Sequence, residues 1–266
     1  MTGGTAIVAG NGPSIARIDA GRVLVGDAIL RTNNFFFEPM QYLGRRVDLA
    51  VMAGDPRVAP FVFQTLWQCR DDYDLQAWTS HNPEVVRAGR RRFPALYRPP
   101  GFRDPELAGQ VGALIARHGC KPLTGTYAVL LAHGLGFDRI ILAGIDMYAG
   151  ARRYAYHPGP RCRALLGQDL EYRGLDGHLH DPALDRRILE MLIARGDVEL
   201  SRASDDTAFD DLLPLAPIRA GQAVYPAPRR APPDWAGRSG LYHIDMLRLM
   251  RLLRGWQRKA GRGRPA

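Results

Sequence analysis

Cysteine, long apolar runs and a leader sequence are all scarce or missing in this chain of 266 residues. It has only three cysteines (Cys69, Cys120 and Cys162) and no CxxC pair, which excludes a disulfide framework or a structural zinc site as its organising feature. No apolar run approaches the roughly 18 residues that a membrane-spanning helix needs. The N-terminal segment lacks the basic region and the cleavage site of a signal peptide. We therefore expect a cytoplasmic protein.

Lysine is also nearly absent, and the basic charge of the chain is unevenly placed. Lys121 and Lys259 are the only lysines, and the formal net charge is +9. The last 25 residues, from Tyr242 onward, carry +6 of that charge, so the first 241 residues carry only +3. A nucleic-acid-binding body requires a basic surface of its own. The charge distribution therefore disfavours nucleic acid as a partner.

Apolar segments typical of strands alternate with segments of helical spacing along the first 146 residues. This alternation predicts an α/β fold with a mostly parallel sheet flanked by helices. A Thr cap is expected to open the last of these helices. The predicted strands cover residues 5–9, 23–30, 48–52, 75–79 and 139–143, and the predicted helices cover residues 14–19, 61–69, 84–92, 106–118 and 124–133.

The alternation ends after residue 146, and this change divides the chain into five segments. Residues 1–146 form the predicted α/β core, and the segment 147–180 is long, polar and irregular, as functional lids or disordered segments are; the resemblance described below implies that the core is Rossmann-like and that this segment is a lid over the site. Residues 181–224 return to the core with a helix over 182–195 and a strand over 198–201. The Pro-rich segment 225–241 is interpreted as a linker. Residues 242–266 form a basic amphipathic tail.

Polar residues follow the first two predicted strands. The turn 10–14 begins like a dinucleotide-binding motif, but Ile15 stands where a small residue is needed and no acidic residue ends the second strand, which disfavours a dehydrogenase. Asn11, Asn33 and Asn34 offer amide donors and acceptors that suit a sugar or a base edge. They follow the carboxyl ends of strands, where parallel sheets bind ligands. The alternative is that they only form turn hydrogen bonds.

Two other groups of residues contain side chains that can bind metal ions. Asp72 and Asp74 flank Tyr73 in an Asp-x-Asp pattern that suits Mg²⁺ or Mn²⁺, but the pattern precedes a strand, and a solvated turn is favoured. His178 and His180 have no third ligand at a spacing typical of zinc. We expect one of these histidines to be a catalytic base; the alternative is that both are ordinary surface residues.

Taken together, the motifs resemble those of the bacterial lipooligosaccharide sialyltransferases of glycosyltransferase family 42. Their order and spacing agree over residues 5–217, which is more specific than any single motif. The stretches that carry the resemblance are AGNGPS, RTNNFFFE, YLGRR, LTGTYAVLLAHGLGFDRIILAGIDMY, the YAY at 154–156, ALDRRILEML and LLPLAP.

The resemblance implies a Rossmann-like variant of the GT-A fold and an inverting transferase that uses CMP-sialic acid and needs no metal or other cofactor. It implies that Tyr148 and Tyr154 hold the leaving phosphate and that His180 is the general base. It also implies a homo-oligomer. The donor pocket implied by the matching positions consists of Asn11, Asn33, Asn34, Thr124, Gly125 and Asp146.

Two positions of the family pattern each have two candidate residues in this sequence. His178 is the alternative to His180 as the base, although the distance of His180 from Asp185 fits the family pattern better. A family asparagine after the third strand corresponds to Ala53 without gaps or to Asp55 with a small shift. The rival function is a nucleotide- or glycan-binding protein of the same fold that has lost catalysis.

The tail suggests where the enzyme works. Arg248, Arg251 and Arg254 repeat every three residues, and apolar residues fall on another face of the same predicted helix. Such a helix binds anionic membrane interfaces, so we expect it to lie on the inner leaflet of the cytoplasmic membrane, beside a lipid-linked glycan acceptor such as a lipooligosaccharide. The alternative is a helix that packs on its own subunit or on a neighbour. The apolar face consists of Leu249, Leu252, Leu253 and Trp256.

Overall fold

The computed structural model contains ten strands and seven α-helices in the part of the chain that it describes, which is residues 3–101, 104–175, 177, 179–205 and 207–261, without the side chains of 255–261. The strands are β1 (Thr5–Ala9), β2 (Ala28–Thr32), β3 (Met40–Gln41), β4 (Arg46–Val47), β5 (Leu49–Val51), β6 (Asp74–Leu75), β7 (Trp78–Thr79), β8 (Arg139–Ala143), β9 (Glu199–Arg202) and β10 (Ala227–Pro228). The α-helices are α1 (Ala59–Gln68), α2 (Pro83–Arg90), α3 (Pro105–His118), α4 (Thr124–Gly134), α5 (Pro160–Leu166), α6 (Pro182–Arg195) and α7 (Ile244–Gly261).

The central sheet has six parallel strands in the order β7-β5-β2-β1-β8-β9. This confirms the predicted α/β fold with a mostly parallel sheet flanked by helices. The chain runs outward from β1 through β2, β5 and β7, then returns to the other side of β1 to add β8 and β9. The strand order therefore reverses between β1 and β8, and a crevice opens there at the carboxyl ends of the strands.

The two faces of the sheet are covered differently. Strand β1 is buried on both sides, with Ala6 and Val8 toward one core and Ile7 and Ala9 toward the other, as the two-residue period of a strand requires. Helices α3, α4 and α6 cover the first face. Ile15, in a 3₁₀ helix, and loop residues cover the second. A third cluster, rich in phenylalanine, joins α1, α2, α5 and α7.

Several predicted elements differ from the observed ones for local reasons. The second strand begins at Ala28 because Asp27 closes a turn before it, where its side chain accepts a hydrogen bond from the Leu24 N–H at 2.7 Å. The fourth predicted strand is split into β6 and β7, which pair with different partners. The helix predicted over 14–19 is the 3₁₀ helix Pro13–Arg17, and α4 has Leu123 rather than Thr124 at its N-cap.

The Pro-rich segment 225–241 is packed against the body of the protein. Strand β10 pairs with β3 in antiparallel fashion, and Trp235 is fully buried. The Asp234 carboxylate accepts hydrogen bonds from the backbone N–H groups of Arg161 and Cys162 at the start of α5. The segment interpreted as a linker thus braces the neighbouring segment 147–180.

Helix α7 begins in the core and ends on the surface. Ile244 and Leu247 are buried in the phenylalanine-rich cluster, whereas Leu249 and Leu252 are 56% and 54% exposed. None of the helices in the described part of the chain is long and apolar enough to cross a membrane.

Candidate functional site

A cleft lies at the point where the strand order reverses. It holds about 630 Å³ of empty space, counting the part open to solvent. Two walls enclose it. The strand wall consists of residues 10–12, 32–34, 123–125 and 144–146, and the lid wall consists of Met147, Tyr148, Arg153, Tyr154 and Tyr156.

Glycines allow the turns after β1 and β8 to touch each other. A side chain at Gly10 would collide with the carbonyl oxygen of Gly144, and one at Gly12 would collide with the Asp146 carboxylate. Gly144 itself has a φ of +59°, in the left-handed region that favours glycine. The glycines of the turn 10–14 therefore serve the close packing of two strand ends.

Asp146 braces the turn that follows β1. Its carboxylate accepts hydrogen bonds from the Ser14 backbone N–H at 2.9 Å and from the Ser14 hydroxyl at 2.5 Å. Burial raises the pKa of Asp146, while the hydrogen bonds from Ser14 act in the opposite direction. The side chain lines the cleft and at the same time joins the two turns that form it.

Asn11 and Asn33 also join separate strand ends. The Asn11 amide donates to the Thr32 carbonyl at 3.0 Å, and its Oδ1 atom is buried without a hydrogen-bond partner in the described part of the chain. The Asn33 amide donates to the Thr124 hydroxyl at 3.3 Å, and its Oδ1 accepts from the Ala53 N–H at 2.8 Å. Both asparagines therefore form turn contacts and also line the cleft.

Ala53 and Asp55 are the two alternatives for the family asparagine that follows the third strand. Ala53 holds Asn33 through its backbone, and Asp55 forms an ion pair with Arg57 at 2.9 Å. Neither Ala53 nor Asp55 is among the described residues that line the cleft.

Asn34 connects the strand wall to the lid wall. Its Oδ1 accepts from the Trp235 indole N–H at 3.4 Å, and its side chain is hydrogen-bonded to Tyr156. The Ala155 N–H donates to the Asn11 carbonyl at 2.8 Å. The segment after β8 is therefore fixed onto the turn after β1.

The lid wall is built from aromatic rings around one cation. Met147 and Tyr148 have φ values of +49° and +58°, a backbone conformation that residues other than glycine rarely adopt. The Arg153 guanidinium lies 4.0 Å from the centroid of the Tyr148 ring and 5.7 Å from that of Tyr154. The Tyr154 and Tyr156 rings are stacked at 5.0 Å.

Burial raises the pKa of Tyr154 and of Tyr156 above the ordinary value of a phenol. Both side chains are therefore neutral phenols at physiological pH and can donate a hydrogen bond. A phenol at the edge of a partly closed cleft is suited to stabilising an anionic oxygen.

His180 lies at the end of segment 147–180 and is not among the described residues that line the cleft. The next residue, Asp181, is the N-cap of α6 and contacts the His118 ring nitrogen at 2.6 Å. One turn into α6, the buried Asp185 carboxylate accepts from the Leu123 N–H at 2.9 Å, which ties α6 to the strand wall. His178, the alternative base, lies outside the described residues.

The Asp-x-Asp pattern lies away from the cleft. Asp72 forms an ion pair with Arg229 at 2.7 Å, and Tyr73 is buried. Over the described ranges, no three His, Cys, Asp or Glu side chains are grouped so that they could hold a metal ion.

Eight of the nine predicted site residues therefore meet in one cleft, and His180 is the exception. Sequence reasoning missed Arg153 and Tyr156, which lie in the same wall as Tyr148 and Tyr154. The sequence feature that could have indicated them is that they flank Tyr154 in the irregular segment. That segment has no periodicity, so the direction in which its side chains point could not be predicted.

The fold and the site together define an α/β domain with a ligand cleft at the reversal point of a parallel sheet. No family model matches the chain, and no curated protein sequence matches it. Solved structures do match, among them sialyltransferases from Campylobacter jejuni.

CstII in complex with the substrate analogue CMP-3FNeuAc has a TM-score of 0.74 and 21% identity, over 89% of this chain and 95% of that chain. The monofunctional alpha-2,3-sialyltransferase Cst-I has a TM-score of 0.76 and 18% identity, over 94% of each chain. CstII with a trisaccharide acceptor and CMP has a TM-score of 0.68 and 20% identity, over 89% of this chain and 96% of that chain. The resemblance seen in the motifs thus extends to the whole fold, which is the fold of these bacterial sialyltransferases.

Proposed function

We propose that this chain is an inverting sialyltransferase that moves sialic acid, or a related nonulosonate, from CMP-sialic acid to a sugar hydroxyl. The observation that carries this proposal is the meeting of the predicted donor residues and both predicted tyrosines in one cleft at the sheet's reversal point. The structural likeness to sialyltransferases crystallised with CMP and with a trisaccharide acceptor supports it.

The chemistry of the donor fits the two walls of the cleft. The bond between the anomeric carbon and the phosphate oxygen of CMP breaks, and the electron pair leaves with CMP. The Tyr148 and Tyr154 hydroxyls lie in the wall where two phenols can donate to the departing phosphate oxygens. Two such donors give the leaving group stabilisation without a metal ion, so we expect turnover to persist in EDTA.

His180 is proposed as the base that accepts the proton of the acceptor hydroxyl as that oxygen attacks the anomeric carbon. An imidazole is suited to this role at neutral pH and contributes about 10²- to 10⁴-fold to the rate. The hydrogen bond between Asp185 and Leu123 supports the assignment, because it holds the start of α6 against the strand wall.

The acceptor is proposed to be a lipid-linked glycan such as a lipooligosaccharide, reached from the inner leaflet of the cytoplasmic membrane. Helix α7 supports this placement, because its exposed apolar residues lie beside exposed arginines. Arg248 and Arg254 are exposed, and each basic residue near an anionic surface is worth about 1 kcal/mol before salt screening. The exposed apolar residues are Met246, Leu249, Met250, Leu252 and Leu253.

The first experiment is to incubate the purified protein with CMP-sialic acid and a panel of galactosides, with and without EDTA. We expect CMP release and sialylated product in both conditions. Absence of transfer across the panel, including related nonulosonate donors, would refute the function. Complete loss of activity in EDTA would refute metal independence alone.

The second experiment tests the base. His180→Ala is expected to lower kcat by about 10²- to 10⁴-fold and to leave CMP binding within about twofold. His243→Ala, at an exposed histidine before α7, is the matched control. If His180→Ala has the wild-type rate and His178→Ala is inactive, the base is His178 and not His180.

The third experiment tests the membrane interface. Because Ile244 and Leu247 belong to the core, the variant keeps them and changes Leu249, Leu252 and Leu253 to Ser. Wild-type protein is expected to sediment with anionic vesicles at low salt and not with neutral ones, whereas the triple variant stays in the supernatant and still sialylates a soluble acceptor. Wild-type protein that stays in the supernatant with anionic vesicles at low salt would contradict the proposal.

A catalytically inactive nucleotide-binding protein is the second candidate, and the absence of His180 from the cleft lining favours it. It predicts CMP binding of normal affinity with neither transfer nor slow release of CMP from CMP-sialic acid. The same incubation and a CMP titration therefore distinguish the two functions.

A further inference from the structure

Arg153 differs from the other basic residues near the cleft. It is the only cation among the described residues that line the cleft, and only one carboxylate, Asp146, lines it too. That carboxylate is engaged by Ser14, on the opposite wall.

Arg153 forms no ion pair with a carboxylate in the described part of the chain; Asp169, on which its charge acts, is paired with Arg173. The Nε atom of Arg153 is buried without a hydrogen-bond partner among the described residues. Neighbouring arginines behave differently: Arg152 is 3.1 Å from Glu171, and Arg173 forms an ion pair with Asp169. A half-buried guanidinium without an acidic partner is costly unless an anion binds it.

The guanidinium is held in place by three contacts, one of which is a hydrogen bond to the Tyr148 side chain. It is stacked over Tyr148, with its carbon 4.0 Å from the ring centroid, which is cation–π geometry. The Arg153 backbone N–H donates to the Glu171 carbonyl at 2.8 Å, which fixes the chain on which the side chain stands. The cation is therefore placed between the two tyrosines before a ligand arrives.

We propose that Arg153 binds the phosphate of the cytidine nucleotide, donating from its guanidinium beside the Tyr148 and Tyr154 hydroxyls. The inference deepens the proposed function, on which it rests. A planar guanidinium matches a phosphate with two parallel hydrogen bonds, and such charge-assisted bonds are about twice as strong as neutral ones. Arg153 thus supplies the positive charge that two neutral phenols lack.

The test is calorimetric titration of the full-length protein with CMP and with cytidine. Arg153→Met keeps the length and the contact with Tyr148 but removes the charge, and Arg153→Lys keeps the charge but loses the paired donors. Arg152→Met is the matched control, because Arg152 is adjacent and does not line the cleft.

For Arg153→Met we expect the Kd of CMP to rise about 10- to 100-fold, as expected for a hydrogen bond to a charged group. The Kd of cytidine should change less than about twofold, because cytidine lacks the phosphate. Arg153→Lys should recover part of the affinity, and Arg152→Met should match wild type. Added salt should weaken CMP binding more in wild type than in Arg153→Met.

Unchanged CMP binding by Arg153→Met would overturn the inference. Equal losses for CMP and cytidine would also overturn it, since they would show a structural role. A loss with CMP-sialic acid but not with CMP would place Arg153 at the carboxylate of the sugar and refute the phosphate assignment. Wild-type protein that binds CMP through Arg153 but transfers no sialic acid would refute the proposed function while this inference stands.

Discussion

The two walls of the cleft are made from different contacts. In the strand wall, polar side chains bond to other parts of the protein: Asn11 to Thr32, Asn33 to Thr124, and Asp146 to Ser14. In the lid wall, rings stack on one another and a guanidinium lies on a ring. Tyr156 is also hydrogen-bonded to Asn34 and Arg153 to Tyr148, so the capacity that the lid wall keeps for a ligand lies in the remaining donors of the Arg153 guanidinium, whose Nε has no partner in the described part of the chain.

This difference suggests a division of labour. A side chain that already bonds across strand ends shapes the cleft, and its loss costs stability first. A side chain held mainly by stacking can turn its polar end to the ligand, and its loss costs chemistry first. The predictions that follow test this division, beginning with the largest expected effect.

The tyrosines of the lid wall should affect rate and not folding. The double variant Tyr148→Phe, Tyr154→Phe is expected to lower kcat by about 10²- to 10³-fold, the cost of removing donors that stabilise a developing anion. Steady-state CMP release gives the rate, and thermal denaturation gives the midpoint, which should stay within about 2 °C of wild type because the rings still stack. A double variant with the wild-type kcat, or one whose thermal midpoint falls well below that of wild type, would contradict this role of the lid wall.

Gly12 in the strand wall should affect stability. A methyl group there would collide with the Asp146 carboxylate and would lie 2.9 Å from the Gly144 carbonyl oxygen. Gly12→Ala is expected to lower the free energy of unfolding by about 2 kcal/mol, a typical cost of overpacking. Urea denaturation measures the change, and Gly26→Ala, in open space, is the control. Equal stability of the two variants would contradict the close approach of the turns.

Asp185, which ties α6 to the strand wall, should make stability depend on pH. Burial raises the pKa of its carboxyl to about 6, above its ordinary value of 3.8. Because the folded-state pKa is raised, this carboxyl favours folding most below about pH 4, and that contribution is lost as the pH rises through about 6.

Asp185→Asn removes this titration. The decrease in unfolding free energy between pH 4 and pH 7 should shrink by about 2 kcal/mol relative to wild type. Urea denaturation across this pH range measures both slopes. Parallel curves for Asp185→Asn and wild type would show that the carboxyl does not titrate as stated.

Thr124 gives the smallest expected effect. Thr124→Val removes the hydroxyl that accepts from Asn33 and should lower the unfolding free energy by about 1 kcal/mol, while Thr124→Ser keeps the hydroxyl and should cost less. Chemical denaturation of the pair measures the difference. If Ser and Val cost the same, the methyl group matters at this position, not the hydrogen bond.

The strand wall could be predicted from the sequence to a large extent. Short apolar runs followed by Gly, Asn or Asp mark the ends of parallel strands, and such ends meet at one edge of a sheet. Asn11 and Asn33 were therefore expected near one another, whereas Asp146 was assigned through the family resemblance; the structure places all three in one cleft.

The lid wall could not be predicted in the same way. Tyr148 and Tyr154 were assigned through the family resemblance, while Arg153 and Tyr156 were missed. Segment 147–180 is aperiodic, and its position depends on distant contacts such as the hydrogen bond from Ala155 to Asn11. The Pro-rich segment shows the same limit, since its composition indicates a linker while Trp235 is buried in the core.

By itself the sequence determined the α/β class, the order of the elements and the polar residues that end the strands, because strand and helix periods and turn chemistry are local properties. The tertiary structure alone decided that Asp146 holds Ser14, 132 residues away, and that Arg153 faces the cleft without a carboxylate partner in the described part of the chain. The physical reason is that pairing and burial of charge depend on which segments meet when the chain closes, and no local pattern records that.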